Sequence, residues 1–391
     1  MGKTERQAYL KAIKKRYKRA KKKDKNLILN EFCQVCGYNR KYAIRVLNQT
    51  NNKRRKRLKP GVKARYDSPE LLKALKIIWF ASDQMCSKRL KALLPIWLPY
   101  YQQHYAKLSD DIVNKLHLIS PSTIDRLLKP ARLQHKGKGM NGTKPGTLLR
   151  NQIPIRTSAW DITEPGFLEA DTVAHCGNSL AGDFVWSLTL TDYCTGWTEC
   201  RATWNKGAAG VVEQIKQVEK QLPFKLKGFD CDNGSEFLNY HLLRYFKEHT
   251  NTIQFTRSRP YKKNDNAHVE QKNWTHVRQL FGYDRFDNIA LVDLMNKLYA
   301  KEWSALGNYF CPTFKLVEKV KINSRYKRKY DSPKTPYQRI LDSKSIDDET
   351  KAQLKARYKT LDPFKLRASI ERQLKAIFKL VSVSSNVRLR L

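Results

Sequence analysis

Charge is distributed very unevenly along this chain of 391 residues, and the distribution limits what each part can fold into. Residues 1–65 hold 23 Lys or Arg and three acidic residues, so this sixth of the chain carries +20 of the total net charge of +40. A surplus this large opposes compaction through self-repulsion, and its usual physical use is to bind a polyanion. We therefore expect nucleic acid as the first partner.

The opposite pattern occurs between residues 157 and 200. This stretch has no Lys or Arg and contains seven acidic residues. Clustered carboxylates that bind a divalent cation would explain an acidic segment in a basic protein. The alternative is an ordinary sheet with few charges.

Composition narrows the class of protein further. No stretch approaches the roughly 20 apolar residues of a membrane-spanning helix, and the basic N-terminus lacks the apolar centre of a signal peptide. Eight cysteines in a chain of this length are too sparse for a disulfide framework, so reduced thiols are expected. A hydrophobic content of 41% excludes wholesale disorder. We expect a cytoplasmic protein with no membrane partner.

Residues 25–49 carry two apolar helical stripes on either side of a turn that contains Gly37. Two short helices joined in this way are typical of a helix-turn-helix. The second helix would expose side chains suited to phosphates and base edges, namely Asn39, Arg40, Lys41 and Arg45. A plain αα-hairpin with a solvated basic face fits the pattern equally well.

The segments that follow are predicted to contact DNA or to connect domains, and not to take part in catalysis. A basic run that can follow the DNA backbone, or serve as a solvated linker or localisation signal, comprises Lys53, Arg54, Arg55, Lys56 and Arg57. Residues 109–128 repeat the pattern of helix, turn and helix. Residues 129–150 are rich in Gly, Lys and Pro and predict an interdomain linker. The predicted regions are 1–66 (basic helix-turn-helix and linker), 67–132 (second helical DNA-binding region), 133–158 (linker), 159–310 (catalytic domain) and 311–391 (basic C-terminal region).

The central region predicts an α/β domain. Three stretches rich in β-branched and aromatic residues follow one another at 167–174, 184–192 and 197–204, which indicates a meander of three strands. Helical spacing then alternates with short buried strands. We predict a helix at 206–222, a strand at 224–231, a helix that Ser235 caps and that ends at His249, a strand at 252–256 and a helix at 266–282. The order βββαβαβα predicts a mixed five-stranded sheet.

Three carboxylates occupy particular places in that order. Asp171 lies in the first strand, Asp232 ends the fourth strand, and Glu270 lies in the final helix. Strand ends of an open α/β sheet face a ligand crevice, and three carboxylates there can hold two Mg²⁺ ions for phosphoryl transfer. Asp230 and Glu236 compete for the same role, but we assign them structural positions, with Glu236 placed to favour a helix N-terminus.

The residues around these carboxylates resemble the DDE transposases and integrases of bacterial insertion sequences, within the retroviral-integrase superfamily. The matching segments are LEADTVAHCG, WSLTLTDYCTGWTE, FDCDNGSEF and SRPYKKNDNAHVEQKN. The resemblance covers residues 166–286 well and implies an RNase H-like fold. It further implies that Asp171 bridges two Mg²⁺ ions, which Mn²⁺ can replace, and that Asp232 and Glu270 each complete one site.

The resemblance also implies the partners. These are double-stranded DNA of element ends and target, with assembly as a homo-oligomer on that DNA in the bacterial nucleoid. Basic residues around the glutamate are placed for phosphates or form a solvated basic face, namely Lys262, Lys263 and Lys272.

Three functions remain open on the sequence. The leading hypothesis is a transposase that cleaves element ends with water and joins the resulting 3′-hydroxyls to target DNA. The others are a DNA-binding regulator with an inactive catalytic domain and a metal-dependent nuclease that does not join. Residues 314–330 are basic and predict either a hairpin or an extended DNA-tracking segment. The fold of residues 311–391 is otherwise unassigned.

Overall fold

The chain divides into two compact units, residues 1–65 and residues 66–391. The computed structural model describes residues 2–49, 65–133, 163–232, 234, 236–258, 267–322 and 325–388. The basic run at 53–57 and nearly all of the predicted linker 133–158 lie outside the described residues. The predicted regions 67–132, 159–310 and 311–391 all fall within the second unit.

The first unit is a bundle of three helices. They are α1 (Lys3–Arg19), α2 (Lys22–Cys36) and α3 (Arg40–Asn48). Phe32 of α2 is fully buried among apolar side chains of all three helices. Gly37 ends α2 in the left-handed conformation with φ 65°, which glycine adopts without steric cost. Asn39 then caps α3, because its side-chain oxygen accepts a hydrogen bond from the Lys41 amide at 3.0 Å.

The second unit begins with four helices. They are α4 (Pro69–Ala81), α5 (Ser87–His104), α6 (Asp110–Leu118) and α7 (Pro121–Leu133). Ser68 and Pro69 start α4, since the serine hydroxyl accepts from the Leu71 amide and proline suits the first helical position. The apolar faces of these helices belong to one hydrophobic core that extends to the C-terminal helices.

The sheet confirms the prediction of five mixed strands. Its strands are β1 (Phe167–Ala174), β2 (Val185–Asp192), β3 (Thr198–Trp204), β4 (Gly228–Cys231) and β5 (Gln254–Arg257). Their order is β3-β2-β1-β4-β5, with β1, β2 and β3 antiparallel and β4 and β5 parallel to β1. Helices between and after the strands are α8 (Ala208–Glu219), α9 (Tyr240–Lys247) and α10 (Ala267–Lys272).

The two sheet faces are covered differently. Leu168 and Ala170 of β1 pack in the core that contains α8 and α9, whereas Glu169 faces α10 and accepts a hydrogen bond from the Val269 amide at 3.3 Å. Because side chains alternate along a strand, Asp171 lies on the same face as Glu169. The helix α10 continues through a π-helical segment, Asn273–Arg278, into α11 (Gln279–Phe281).

The predicted start of α9 was wrong. The helix begins at Tyr240 and is capped by Asn239, whose side-chain oxygen accepts from the Leu242 amide at 2.9 Å. The side-chain nitrogen of Asn239 donates to the Glu236 carbonyl at 2.6 Å. Asn239 therefore holds both the start of the helix and the turn before it. Glu236 therefore lies before the helix, and its side chain is buried.

The C-terminal part of the second unit packs against β3 and α5. It comprises α12 (Ala290–Leu298), a π-helical segment (Tyr299–Trp303), α13 (Ser304–Phe310), β6 (Leu316–Ile322), β7 (Arg325–Tyr330), α14 (Pro336–Asp342), α15 (Asp348–Thr360) and α16 (Pro363–Arg388). Trp97 of α5 links these parts, because its indole NH donates to the Phe310 carbonyl at 3.1 Å and its ring contacts Phe364. None of the helices in the described ranges is long and apolar enough to cross a bilayer.

Candidate functional site

Two aspartates meet at the junction of β1 and β4. These strands are parallel neighbours, and Ala170 stands opposite Cys231. Asp171 is the next residue of β1, and Asp232 directly follows the last residue of β4. Because side chains alternate along a strand, both are expected on the face opposite Ala170 and Cys231, which is the α10 side of the sheet. Both side chains are partly buried, so their carboxylates remain within reach of a small ligand.

The pKa values report how strongly these carboxylates disfavour negative charge. Burial, followed by the charge of Asp232, raises the pKa of Asp171 to about 8. Burial, followed by the charge of Glu236, raises the pKa of Asp232 to about 6. Neighbouring acids that repel one another in a low-dielectric site bind a proton or a cation in compensation. The site is therefore poised to take up positive charge.

Hydrogen bonds fix the orientation of both aspartates. Asp171 accepts from the Thr172 amide at 2.7 Å and from the Asn273 side-chain amide at 2.6 Å. Asp232 accepts from the Gly234 amide at 2.8 Å. A side chain at Gly234 would clash, since an added Cβ would stand 2.5 Å from Oε2 of Glu236. The backbone turn after β4 thus holds Asp232 and leaves room for a third carboxylate.

Glu236 is that third carboxylate, and its predicted place at a helix N-terminus was wrong. Its side chain is 1% exposed, and its Oε1 accepts from the Thr172 hydroxyl at 2.6 Å and pairs with Lys206 Nζ at 2.8 Å. Its Oε2 is buried with no hydrogen-bond partner among the described residues. Lys206 lies 4.4 Å from the centre of the Trp186 ring and remains partly exposed. The available sequence signal was the position of Glu236 just past the glycine turn that follows Asp232.

Glu270 differs from the two aspartates in being exposed. It lies on α10, exposed, one helical turn before Asn273, whose amide contacts Asp171. Within the described ranges, no three His, Cys, Asp or Glu side chains already converge as a group that could hold a metal ion. The helix brings Glu270 to the aspartate side of the sheet, and the side chain itself faces solvent.

Asp230 occupies a structural position, as expected. It is fully buried, and it accepts a hydrogen bond from the Thr256 hydroxyl of β5 at 2.5 Å. Glu169 stands in register with Asp230 on β1 and holds α10 through the Val269 amide. Glu169 and Asp230 are two positions before Asp171 and Asp232 along the chain, so they lie on the same face of the sheet.

The assignment of Lys272 to DNA contact was wrong. Lys272 is buried, and its ammonium donates to the Gly196 carbonyl at 3.4 Å. Burial, followed by the nearby charge of Arg89, lowers its pKa to about 7. The sequence placed Lys272 beside Glu270, but two residues along a helix point to different sides. Lys262 and Lys263 lie outside the described residues.

The four residues predicted to contact DNA from the first unit are exposed on and before α3. Asn39 is used as the helix cap, and Arg40 donates to the side chains of Asn26, at 3.1 Å, and Asn30. The guanidinium of Arg45 lies 5.0 Å from the centre of the exposed Tyr42 ring. Lys41 is exposed beside them. The surface is basic and aromatic, and its contact with DNA stays a prediction.

Comparison with known proteins places the chain in a family. No family model matches it. The uncharacterized protein y4rM of Sinorhizobium fredii (strain NBRC 101917 / NGR234) is 39% identical over 333 residues, covering 84% of this chain and 93% of the relative. The chain belongs to the same family as y4rM.

Solved structures similar to this chain include two of viral origin. One is the simian T-cell lymphotropic virus intasome in complex with PP2A regulatory subunit B56 gamma, with a TM-score of 0.32, 13% identity, and coverage of 64% of this chain and 76% of that chain. The other is the catalytic core domain of BIV integrase, with a TM-score of 0.29, 14% identity, and coverage of 45% and 94%. With TM-scores this low, neither similarity indicates a function for this chain.

Proposed function

We propose that this protein is a DNA transposase or integrase of the DDE type, which cleaves DNA at element ends and joins the 3′-hydroxyls to target DNA. The observation that carries the proposal is the pair Asp171 and Asp232, which parallel strands bring side by side. The pKa of each is raised by burial and by a neighbouring carboxylate, Asp232 for Asp171 and Glu236 for Asp232. The strand order β3-β2-β1-β4-β5 is the arrangement expected of an RNase H-like domain.

The residues present fit a divalent metal ion. The donors are carboxylate oxygens, which Mg²⁺ prefers, and the raised pKa values mark a place where positive charge is favoured. The buried Oε2 of Glu236, which has no hydrogen-bond partner among the residues that the structure describes, adds one more oxygen beside them. We assign Asp171, Asp232 and Glu270 as ligands of two Mg²⁺ ions, with Mn²⁺ able to substitute. When bound, such ions supply activation of an oxygen nucleophile and stabilisation of the leaving oxygen at phosphorus.

The chain's own residues position the reaction. The Asn273 side-chain amide orients Asp171. Glu270, which is exposed, lies one helical turn before Asn273. Lys206 offers a partly exposed cation next to Asp232 for a DNA phosphate. Trp274 is 49% exposed four residues after Glu270, so its ring provides a face on which a base can stack beside the site.

DNA recognition is assigned to the basic first unit. The helix-turn-helix reading of α2 and α3 supplies groove contacts, and the surplus of +20 supplies phosphate contacts. The DNA-bound form would be a homo-oligomer at the bacterial nucleoid, because joining an element requires two ends in one complex.

A strand-transfer assay tests the proposal. The full chain is incubated in Mg²⁺ with labelled duplexes carrying the ends of the element that encodes it, together with a supercoiled plasmid as target. We expect nicking at the 3′ end of the transferred strand, followed by covalent joining of label to plasmid. Hydrolysis without joining would identify a nuclease, and binding without cleavage would identify a regulator.

Replacing Glu236 should reduce strand transfer by an intermediate factor. Replacing it with Gln removes the ion pair with Lys206 but keeps a group that can accept from Thr172. Because outer partners of metal ligands typically contribute 10- to 100-fold, we expect strand transfer to fall by about that factor. A higher Mg²⁺ concentration should restore part of the rate.

A matched variant makes the Glu236 result informative. Glu270→Gln should lose far more activity than Glu236→Gln, and added Mg²⁺ should not restore it. The reverse ranking would move the third metal ligand from Glu270 to Glu236.

A further inference from the structure

Strands β6 and β7 form a two-stranded antiparallel ribbon that stands apart from the main sheet. Ile322 pairs with Arg325 at one end of the ribbon and Leu316 with Tyr330 at the other. Among the strands that the structure describes, these two pair only with each other. An isolated ribbon of two strands is marginally stable in water, so this one needs support or a partner.

Support is present at the root of the ribbon. The Lys315 amide donates to the Asp331 carboxylate at 2.7 Å, and Arg339 pairs with the same carboxylate at 2.5 Å. Arg339 also donates to the Thr313 carbonyl at 2.9 Å, and the Lys315 ammonium donates to the Cys194 carbonyl at 3.2 Å. Cys194 lies in the turn between β2 and β3. The ribbon is therefore fixed to the sheet that carries the aspartates.

Beyond the root, the ribbon exposes apolar side chains. Val317 is 64% exposed and Ile322 is 52% exposed, and Val320 and Tyr330 are exposed as well. Solvent-exposed apolar residues along a strand pair with open edges favour association with another molecule. The question is which molecule covers them.

The net charge of the ribbon indicates which kind of molecule covers these apolar side chains. Residues 314–330 contain seven Lys or Arg and one acid, Glu318, a net charge of +6 over 17 residues. The register sets Val320 opposite Lys327 and Glu318 opposite Lys329. A net positive charge this concentrated favours association with a polyanion. A second copy of the ribbon would bring the same positive charge and repel it.

We propose that the β6–β7 ribbon is a DNA-binding arm that lies in a groove of the duplex held by the catalytic site. A two-stranded ribbon fits the major groove, where Lys and Arg reach the phosphates and apolar side chains contact base edges such as thymine methyl groups. This inference rests on the proposed function, because the DNA it binds is the substrate of that site.

The test uses the full chain and a labelled random-sequence duplex, with affinity measured across a salt series. The variant K327Q/R328Q/K329Q removes three exposed charges from β7. We expect the slope of log K against log salt to flatten by up to about three units, because each phosphate contact contributes about 0.9. Affinity at intermediate salt should fall at least about tenfold.

A charge-matched control separates contact from general electrostatics. The variant K355Q/K359Q/K375Q removes three exposed charges from α15 and α16, and we expect it to leave the slope nearly unchanged. A second ribbon variant, V320T/I322T, keeps β-branched residues and the charge. It should weaken binding while the slope stays that of the wild type. Thermal unfolding midpoints confirm that each variant is folded.

The outcomes are distinguishable. A wild-type chain that does not bind duplex DNA contradicts the proposed function itself. A wild-type chain that binds, with the same slope and affinity in both ribbon variants, overturns the ribbon inference and leaves the proposed function standing. A chain that is dimeric without DNA and monomeric in a ribbon variant assigns the ribbon to a second copy and also overturns the inference.

Discussion

Replacing Asp171 with Asn should abolish both cleavage and strand transfer while leaving DNA affinity within about twofold of the wild type. The carboxylate is the central ligand of the proposed site, and metal ions contribute several kcal/mol to the transition state. Since 1.36 kcal/mol corresponds to a factor of ten, the rate should fall at least about a thousandfold. Single-turnover assays in Mg²⁺ measure the loss, and Asp232→Asn and Glu270→Gln should reach the same level.

The substitution is well suited to this test because the site can accommodate it. Asn keeps an acceptor for the Thr172 amide, and the Asn273 amide can turn so that its Oδ1, which has no hydrogen-bond partner among the described residues, accepts from the new side chain. Asp293→Asn, on the exposed face of α12, is the matched control and should retain full activity. Near-normal strand transfer in any one of the three variants would remove that residue from the site.

The same Asp171→Asn variant should be more stable than the wild type in the absence of divalent metal ions. The pKa of Asp171 is raised to about 8, above the ordinary 3.8. Between these two values the folded protein holds a proton that the unfolded chain has released, so wild-type stability falls as pH rises from about 4 to about 8. At pH 8 we expect a melting temperature on the order of 5 °C higher for the variant, because roughly 2–4 °C corresponds to each kcal/mol.

The pH dependence makes the stability prediction specific. The difference in melting temperature should shrink toward pH 5, where Asp171 is protonated in the folded wild type. Mg²⁺ at pH 8 should raise the melting temperature of the wild type more than that of the variant, since it compensates the repulsion that the variant lacks. A melting difference that is independent of pH between 5 and 8 would contradict the proposed repulsion.

Much of the architecture could be predicted from local pattern. The alternation in β1 to β3 and the helical spacing of α8 to α10 predicted the mixed sheet, because each element must bury its own apolar face. The neighbouring positions of Asp171 and Asp232 followed from the same order, since adjacent parallel strands bring their carboxyl ends together. Local pattern was sufficient wherever a residue's role depends on its own element.

Pattern failed where a role depends on what packs against the residue. The sequence at Ser235 and Glu236 resembles the start of a helix. In the structure Asn239 caps the helix instead, and Glu236 is buried beside the aspartates. Lys272 follows Glu270 in a basic stretch, yet its side of the helix is covered by the turn that contains Gly196. The residues that bury these side chains, Thr172 beside Glu236 and Gly196 beside Lys272, are distant in sequence, so the local pattern does not reveal these contacts.

The sequence by itself determined the order of elements, the concentration of positive charge in residues 1–65 and along residues 314–330, and the acidic residues available for a site. These properties depend on residue type and spacing alone. Only the tertiary structure decided which acids repel one another, which lysine is buried, and that the basic segment is a ribbon rooted on the sheet. Burial and Coulomb interactions depend on distances through space, and the fold creates those distances.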